Sequence, residues 1–483
     1  MGSYRGFRSD GIADMPSSPY LCPGDEQSPP VGPRRSRMPK QILTGDFSPE
    51  GYFVLEAFAD ASEAIARVAR GFAQVLAEMD CDAVVLAFDH TKDWSRFLAA
   101  AGEALTAGKT RGIVLESPAA LPVVAHGCRL SGAGALHFCS SPLASRCVGI
   151  RFLLPDGSPA PESVAEKIQR AASDAPATSG GASLIRAEFL PSYMEWARKL
   201  VGASSLRKMH LRLLVDACGG LGDRVLEALL GAALDRLHTI YGLPLPNFFH
   251  RTPIPMPKEA HELGAQVQRG RWSGGILLSG DASGLGLVDR NGDWVPLVAA
   301  LRRVAEETGL VLECLDPLDS SWLRSPPRQP EGISSEFDGS RVVLGSRGRL
   351  RWPGLAPAWD GLLSVGILLG QAGSRIFDPC PDVPFEAQEI IRSDRGPLPS
   401  ALEIAEDLEI GAAKLDAPTV RTSAYLGQTR GLYLSWNDRN AWASVEWGEG
   451  QEALLVRVLG SERETAQRIS TSLTSFLAAR LGH

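Results

Sequence analysis

The sequence predicts an α/β protein with mostly parallel sheets, on three observations. Short continuous apolar runs recur along the chain, each bounded by Gly, Asp, Ser or Pro, as buried strands are. Between them lie stretches whose apolar residues are spaced three and four apart, as on helices that pack against a sheet. The two patterns alternate, which argues for βαβ units. With 483 residues the chain has room for roughly three or four domains of about 100–200 residues each.

Residues 1–38 are rich in Gly, Ser, Pro and Arg, show no periodicity and are expected to be disordered. They hold no hydrophobic segment suited to a secretory signal, and Met38 is an alternative start. Phe58, Ala61, Ile65, Val68, Phe72, Val75 and Leu76 fit one face of a helix over Ala57 to Met79. Ala83 to Phe88 (AVVLAF) reads as a buried strand, followed by a turn at Asp89 to Lys92 and a helix from Ser95 to about Thr106. Arg111 to Leu115 and Ala133 to Cys139 read as two further strands. A helix over Val164 to Ala172 precedes a Ser/Gly/Ala linker.

The pattern then repeats. Ala187 to Val201 reads as helix and His210 to Ala217 as strand, running into the Gly-rich turn Cys218 to Gly222. Val225 to Leu237 reads as a helix with Leu226, Leu229, Leu230 and Leu234 on its apolar face. The Gly-rich turn could cradle a phosphate on free N–H groups, but it lacks a P-loop Lys-Ser/Thr, and a plain tight turn is the better reading. His261 to Gln268 is the next helix. In Gly274 to Gly292 (GGILLSGDASGLGLVDRNG) two apolar runs flank the turn Ser279 to Gly284, and Asp289 to Gly292 reads as a hairpin turn. Further on come a helix over Val298 to Thr308, strands at Val311 to Cys314 and Arg341 to Leu344, and a Pro/Ser-rich loop between those strands. After the linker Asp378 to Pro384 there is a helix over Ala401 to Leu408. Strands at Gly431 to Trp436, Trp442 to Glu446 and Ala453 to Leu459 lead to a closing helix over Glu462 to Leu481.

Composition excludes several functions. A net charge of -7 gives no footprint for nucleic acid. The ten tryptophans are not interleaved with basic runs, which disfavours single-strand binding. No apolar run reaches the ~18 residues that a membrane span needs. Eight cysteines without CxxC pairs point to reduced thiols and a cytoplasmic protein. His126-x-Cys128 and His137-x-Cys139 could share strand faces as zinc ligands. Their spacing matches no usual finger, and buried structural residues are the favoured reading.

Four loops and their flanking strands together resemble the α-D-phosphohexomutases, the phosphoglucomutase and phosphomannomutase family, over roughly Gln41 to Leu481. That family's metal loop reads Asp-Gly-Asp-x-Asp-Arg, then Leu-Gly and a turn ending in Gly. Here Gly280, Asp281, Ala282, Leu285, Gly286, Val288, Asp289 and Gly292 keep the frame. The outer carboxylates are replaced by Ser279 and Ser283, and the Arg by Gly284. Mg²⁺ prefers carboxylate oxygens in tight octahedral geometry, so one carboxylate and two hydroxyls are a poor replacement. The family's Thr-Ala-Ser-His-Asn-Pro, which precedes Gly-Ile-Lys-Phe, falls on Ser140 to Val148 ahead of Gly149-Ile150-Arg151-Phe152. This places Ser141, or Ser140 after a one-residue slip, at the phosphoserine.

The other loops depart similarly. Ala87 to Thr91 stand where the family has Gly-Arg-Asp-Thr-Arg, and its opening motif is only echoed by Thr44-Gly45-Asp46. Val215-Asp216 with the glycines, and the FFHRTPIPMP segment Phe248 to Pro257, match its second domain. The sugar-reading Gly-Glu-x-Ser-Gly-His, counted back from Asp360 to Leu363, puts Gly345, Arg347 and Arg349 at its Glu, Ser and His. Those arginines could hold an anion, though solvated surface charges are the favoured reading. In the phosphate loop, Ser and Thr become Gly448 and Gly450, or Glu449 and Gln451 one residue over. Three carboxylates at about 4–10 Å would repel a dianion, each by about a kcal/mol near a surface.

The resemblance implies three related α/β domains with mixed, mostly parallel sheets and a smaller C-terminal α+β domain around a central cleft. Their expected bounds are 39–158, 182–293, 294–378 (shortened) and 385–483. It implies two functions. The preferred one is a phosphohexomutase-like pseudoenzyme, impaired or silent, that needs no cofactor and binds a protein partner or an altered ligand in the old cleft. The alternative is an active mutase acting on hexose phosphates, with Ser141 or Ser140 as phosphate carrier and Mg²⁺ on Asp281. No oligomeric state is implied.

Overall fold

The computed structural model of the chain describes residues 52–56, 61–90, 94–108, 110–140, 147–174, 184–201, 206–314, 341–352, 355, 358–378, 385–393, 398–399, 401–411, 415, 418–425, 428–436, 439–447 and 453–481. All of them lie in one compact unit, Gln41–His483. The N-terminal segment 1–38, Thr44 to Asp46, Ser141, Gly448, Glu449, Gly450 and Gln451 fall outside the described residues.

The first sheet holds β1 (Tyr52–Glu56), β2 (Ala83–Phe88), β3 (Arg111–Leu115), β4 (Gly134–Ser140), β5 (Cys147–Leu153) and β6 (Leu184–Ala187), in the order β1-β5-β4-β2-β3-β6. β2 pairs in parallel with β3 and β4, while β5 runs antiparallel to β4. The helices are α1 (Ala61–Ala77), α2 (Trp94–Ala107), α3 (Leu121–Ser131), α4 (Glu162–Asp174) and α5 (Leu190–Val201). Every residue of β2 is buried, because layers on both faces of the sheet bury a run of apolar residues instead of an alternating one. Sequence had begun a helix at Ala187. In the fold Leu184–Ala187 is a strand on the edge of this sheet, and α5 begins at Leu190 with Pro191 in its first turn.

The second sheet holds β7 (Arg212–Asp216), β8 (Arg236–Ile240), β9 (Gly274–Leu278), β10 (Leu285–Val288) and β11 (Trp294–Val295), in the order β11-β10-β9-β7-β8. Its helices are α6 (Gly222–Leu230), α7 (His261–Gly270) and α8 (Leu297–Thr308). The expected helix over Val225 to Leu237 is therefore two elements. It ends at Leu230, and Arg236–Ile240 pairs in parallel with β7. Leu234 and Leu237 continue the helical period only by coincidence of spacing. Gly231 to Ala233 forms a single 3₁₀ turn, from which the chain extends.

The third sheet is β12 (Val311–Cys314), β13 (Arg341–Leu344) and β14 (Leu350–Arg351), with α9 (Gly361–Ala372) following. α9 is apolar around its whole circumference and buried on nearly all of it, so it shows no amphipathic period. The last sheet is antiparallel throughout. Its strands are β15 (Phe385–Arg392), β16 (Thr419–Tyr425), β17 (Gln428–Trp436), β18 (Ala441–Trp447) and β19 (Ala453–Gly460), ordered β15-β19-β18-β17-β16. Helices α10 (Ala401–Ile410) and α11 (Arg463–Leu481) accompany it.

The first three sheets share one plan. Each contains a parallel pair whose later strand then turns back into an antiparallel neighbour: β2, β4 and β5; β7, β9 and β10; β12, β13 and β14. The β4–β5 connection, the β9–β10 turn and the β13–β14 turn are therefore topological equivalents. This is the expected α/β architecture of three related units with a smaller C-terminal α+β unit. The C-terminal unit docks on the second sheet's side. Ile254 and Met256 pack against Ala453, Leu455 and Ile390, and Trp294 Nε1 donates to the buried Glu386 at 2.9 Å.

Candidate functional site

The β9–β10 turn, Ser279 to Gly284, is where the units meet. Leu121 N of α3 donates to Asp281 O at 3.2 Å, Leu221 N to Gly280 O at 3.3 Å, and Gly361 N of α9 to Ala282 O at 3.1 Å. Gly280 N donates to Pro253 O at 3.1 Å. Gly284 forms an isolated bridge with Arg349, in the β13–β14 turn. Close approach explains two of the glycines. A Cβ on Gly220 would stand 2.2 Å from the Gly280 carbonyl oxygen, and one on Gly284 would stand 2.8 Å from that of Arg347. The Gly-rich turn after β7 is thus a packing surface for the β9–β10 turn. Gly220→Ala is expected to destabilise the protein by about 1–3 kcal/mol, as overpacking does, measured by denaturant unfolding. No flexible side chain can move to relieve that contact.

Asp281 is the centre of this turn, and its carboxylate is fully committed. Ser279 Oγ donates to its Oδ1 at 2.6 Å, Ser283 Oγ at 2.7 Å and Ser283 N at 3.0 Å. On Oδ2, Arg151 Nη2 of β5 stands at 2.5 Å and Arg349 Nη2 at 3.8 Å. The Arg151 and Asp281 side chains are 3% and 11% exposed, so this pair is out of bulk water. Burial pushes the Asp281 carboxyl up, but Arg151, Ser279 and Ser283 outweigh it and hold it below its ordinary value. The hydroxyls serve other partners too. Ser279 Oγ accepts from Gly284 N at 2.8 Å, and Ser283 Oγ accepts from Arg349 Nε at 3.0 Å.

The arginines of the β13–β14 turn differ from the solvated charges expected of them. Arg349 is buried, at 5% exposure, and braces Ser283 and Asp281. Arg347 is half-buried, adopts a φ of 60°, and lines the cleft. That open cleft is lined by Asp89, Cys139, Arg151, Ser279, Gly280, Asp281, Arg347 and Arg349 on the α/β side. Phe248, Pro253, Ile254 and Pro255 complete it. Phe248, Phe249 and His250 all have positive φ, which marks a strained entry to this wall. Behind it, Asp216 is held by Arg251 at 2.8 Å and accepts from Cys218 N at 2.8 Å.

Of the residues picked from sequence, the fold joins Asp281, Ser279, Arg347 and Arg349 around one cleft, with Ser283 buried behind Asp281. Ser140 is the last residue of β4, with its backbone opposite Val148. Ser141, Gly448 and Gly450 lie outside the described residues. Sequence reasoning gave no role to Arg151 or Asp89, and weighed Cys139 only as a zinc ligand. A signal for Arg151 existed: an Arg stands where the family's Gly-Ile-Lys-Phe has Lys, while a lone Asp remains in the loop. The guanidinium reaches further than an ammonium and offers a planar fork to a carboxylate.

The less favoured zinc reading fails for the first His-x-Cys unit. His126 and Cys128 lie on α3, where residues two apart do not share a face. His137, fully buried, has its imidazole pushed down to about 3 by burial and by Arg151. Among the described residues no group of three or more His, Cys, Asp and Glu could hold a metal ion. Nor does the Ser279–Ser283 turn fit Mg²⁺. Its one carboxylate is neutralised by a guanidinium on Oδ2 and saturated by three donors on Oδ1, and its hydroxyls point their protons at that carboxylate.

Residues 56–178 match the sequence model of phosphoglucomutase/phosphomannomutase, alpha/beta/alpha domain I. The whole architecture then has solved counterparts. A Thermus thermophilus protein assigned as a phosphomannomutase superposes with a TM-score of 0.67 at 17% identity, covering 89% of this chain and 98% of its own. Residues 56–178 match that family's domain I, and the chain as a whole has the phosphohexomutase fold. A phosphoglucomutase/phosphomannomutase family protein from Burkholderia thailandensis gives 0.63 at 16% identity, covering 91% and 97%. The Paramecium exocytosis-sensitive phosphoprotein pp63/parafusin, a phosphoglucomutase in its open form, gives 0.64 at 11% identity, covering 92% and 96%. At these identities the likeness establishes the phosphohexomutase fold alone. No curated protein matches the sequence. Among the described residues no helix is long and apolar enough to cross a membrane.

Proposed function

We propose that this phosphohexomutase-family chain is catalytically impaired or silent and acts by binding a ligand or a protein partner in the cleft. The observation that carries this reading is the commitment of Asp281. The carboxylate that resemblance assigns to the metal is engaged by Arg151, Ser279 and Ser283, within a network that also includes Arg349. Transfer of a phosphoryl group depends on cationic stabilisation of charge in flight. A guanidinium already paired with a buried carboxylate has little of its charge left for a substrate. Losing several members of one catalytic unit removes most of its acceleration.

In this reading Ser141 and Ser140 carry no phosphate, Arg349 is a brace, and Arg347 is the residue placed to meet an anionic ligand such as a hexose phosphate. The buried cysteines Cys81, Cys128, Cys139, Cys218 and Cys314 suit a reducing, cytoplasmic setting.

The test is a coupled mutase assay with glucose 1-phosphate and mannose 1-phosphate, with and without Mg²⁺, beside the Ser140→Ala/Ser141→Ala double variant. Turnover no higher than that of the double variant is the expected result. Robust turnover that disappears in the double variant, together with a phosphate adduct in the intact mass, would establish the active enzyme instead.

A further inference from the structure

We propose that Arg151 is the resident cation of this centre: its guanidinium permanently supplies the positive charge at Asp281, and the site excludes divalent metal. The inference goes beyond the silent reading, because a centre with its own cation is metal-independent whether or not it retains turnover.

Three features carry it. First, the guanidinium touches the carboxylate oxygen that the turn leaves open. Oδ1 is filled from within the turn by Ser279 Oγ, Ser283 Oγ and Ser283 N, so Oδ2 is the remaining face, and Arg151 Nη2 takes it at 2.5 Å. Second, Arg151 is placed by β5, whose pairing with β4 fixes its register opposite the buried His137. That neutral, buried neighbour offers no competing anion. Third, the polar partners are arranged for a guanidinium and not for a hydrated ion. Ser279 and Ser283 spend their protons on Asp281 and accept from Gly284 N and Arg349 Nε, so neither oxygen is turned outward as a ligand. A divalent ion would have to displace a buried ion pair and break three hydrogen bonds to gain one carboxylate. Mg²⁺ in particular gives up its water shell only for several well-placed oxygens.

The pair also ties units together. Arg151 comes from the first sheet, Asp281 from the second, and Arg349 from the third. One buried carboxylate with two guanidiniums thus does the joining that a shared ion could do elsewhere.

The experiment compares wild type, Arg151→Met, Asp281→Asn and the Arg151→Met/Asp281→Asn double variant. Thermal unfolding is followed in EDTA and in millimolar Mn²⁺, and Mn²⁺ binding is measured by electron paramagnetic resonance. Wild type is expected to melt at the same temperature in both conditions and to bind no Mn²⁺ at Asp281. Arg151→Met should melt lower and be partly rescued by Mn²⁺. The double variant should show no rescue, and the two single losses should be strongly non-additive, because each strands the other's buried charge. Saturable Mn²⁺ binding to wild type that Asp281→Asn abolishes would overturn the proposal, as would equal Mn²⁺ rescue of Arg151→Met and of the double variant. If Arg151→Met does not fold, Arg151→Lys, which keeps one cation, takes its place and should remain indifferent to Mn²⁺. Mn²⁺ sensitivity in Arg151→Lys would count against the proposal. Mutase turnover persisting in EDTA would end the silent reading and leave the resident cation standing. Tight metal binding by wild type would end the resident cation whatever the turnover.

Discussion

Asp281→Ala should destabilise the protein by about 3–5 kcal/mol, the range for removing one partner of a buried ion pair. The loss comes from the group left behind. Arg151, with 3% of its side chain exposed, would keep its charge in a largely desolvated site, and Ser279 and Ser283 would lose the acceptor to which both donate. A carboxylate kept for an ion behaves in the opposite way. Ligands gathered around an empty cation position repel one another, and removing one tends to leave stability unchanged or raised at the expense of function. The sign of the shift in the unfolding midpoint, measured in EDTA, therefore separates the two architectures. Asp281→Asn should fall between wild type and Asp281→Ala, since its amide oxygen can still accept from the serines while its amide nitrogen faces Arg151 poorly. The contribution also has a pH window. The folded carboxyl is held below its ordinary value of 3.8. The stability it supplies is therefore present above about pH 4 and is lost as pH falls through the folded value.

Much of the scaffold was legible because buried strands announce themselves. Ala83–Phe88, Val311–Cys314 and Arg341–Leu344 are strands over the residues that their apolar runs mark. The Gly280-Asp281 frame located the turn at which the units meet, because glycines that permit backbone contact cannot be exchanged freely. What was not legible has physical reasons. β8 hid inside a leucine spacing that continues α6, and only pairing with β7 makes it a strand. α9 has no polar face, so no period marks it as a helix. Arg349 reads as a surface charge until Ser283 and Asp281 are seen beside it. Arg151 and Asp281 are 130 residues apart, and local patterning holds no information about a partner on another sheet. The lost carboxylates could be read from the sequence, but the guanidinium that answers the remaining one could not.

The second large effect is on pH dependence, and it comes from a residue outside the cleft. Asp360 caps α9, its Oδ1 accepting from Leu363 N at 2.8 Å, and Tyr193 of α5 donates its hydroxyl to both carboxyl oxygens at 3.1 Å. Burial raises its pKa from 3.8 to about 7 against the pull of those hydrogen bonds. A raised folded value means that the protonated form is favoured in the fold. The associated stability is complete below about pH 4 and is lost as pH rises through about 7, at about 1.4 kcal/mol per pH unit and about 4 kcal/mol in all. His137 works in the other direction. Its pKa is depressed from 6.5 to about 3, so its contribution is present above pH 6.5 and lost as pH falls. Between about pH 4 and 6.5 the two slopes oppose each other, and His90, depressed to about 4 by burial, adds to the histidine side. Asp360→Asn, which cannot ionise, removes one of them. Its stability relative to wild type should improve by about 4 kcal/mol between pH 4 and pH 8, and its own profile should rise more steeply from pH 4 to 6.5 as the histidine slope is uncovered. Denaturant midpoints at pH 4, 5, 6, 7 and 8 for the two proteins decide it. Parallel profiles would mean that the carboxyl capping α9 is ionised in the fold throughout.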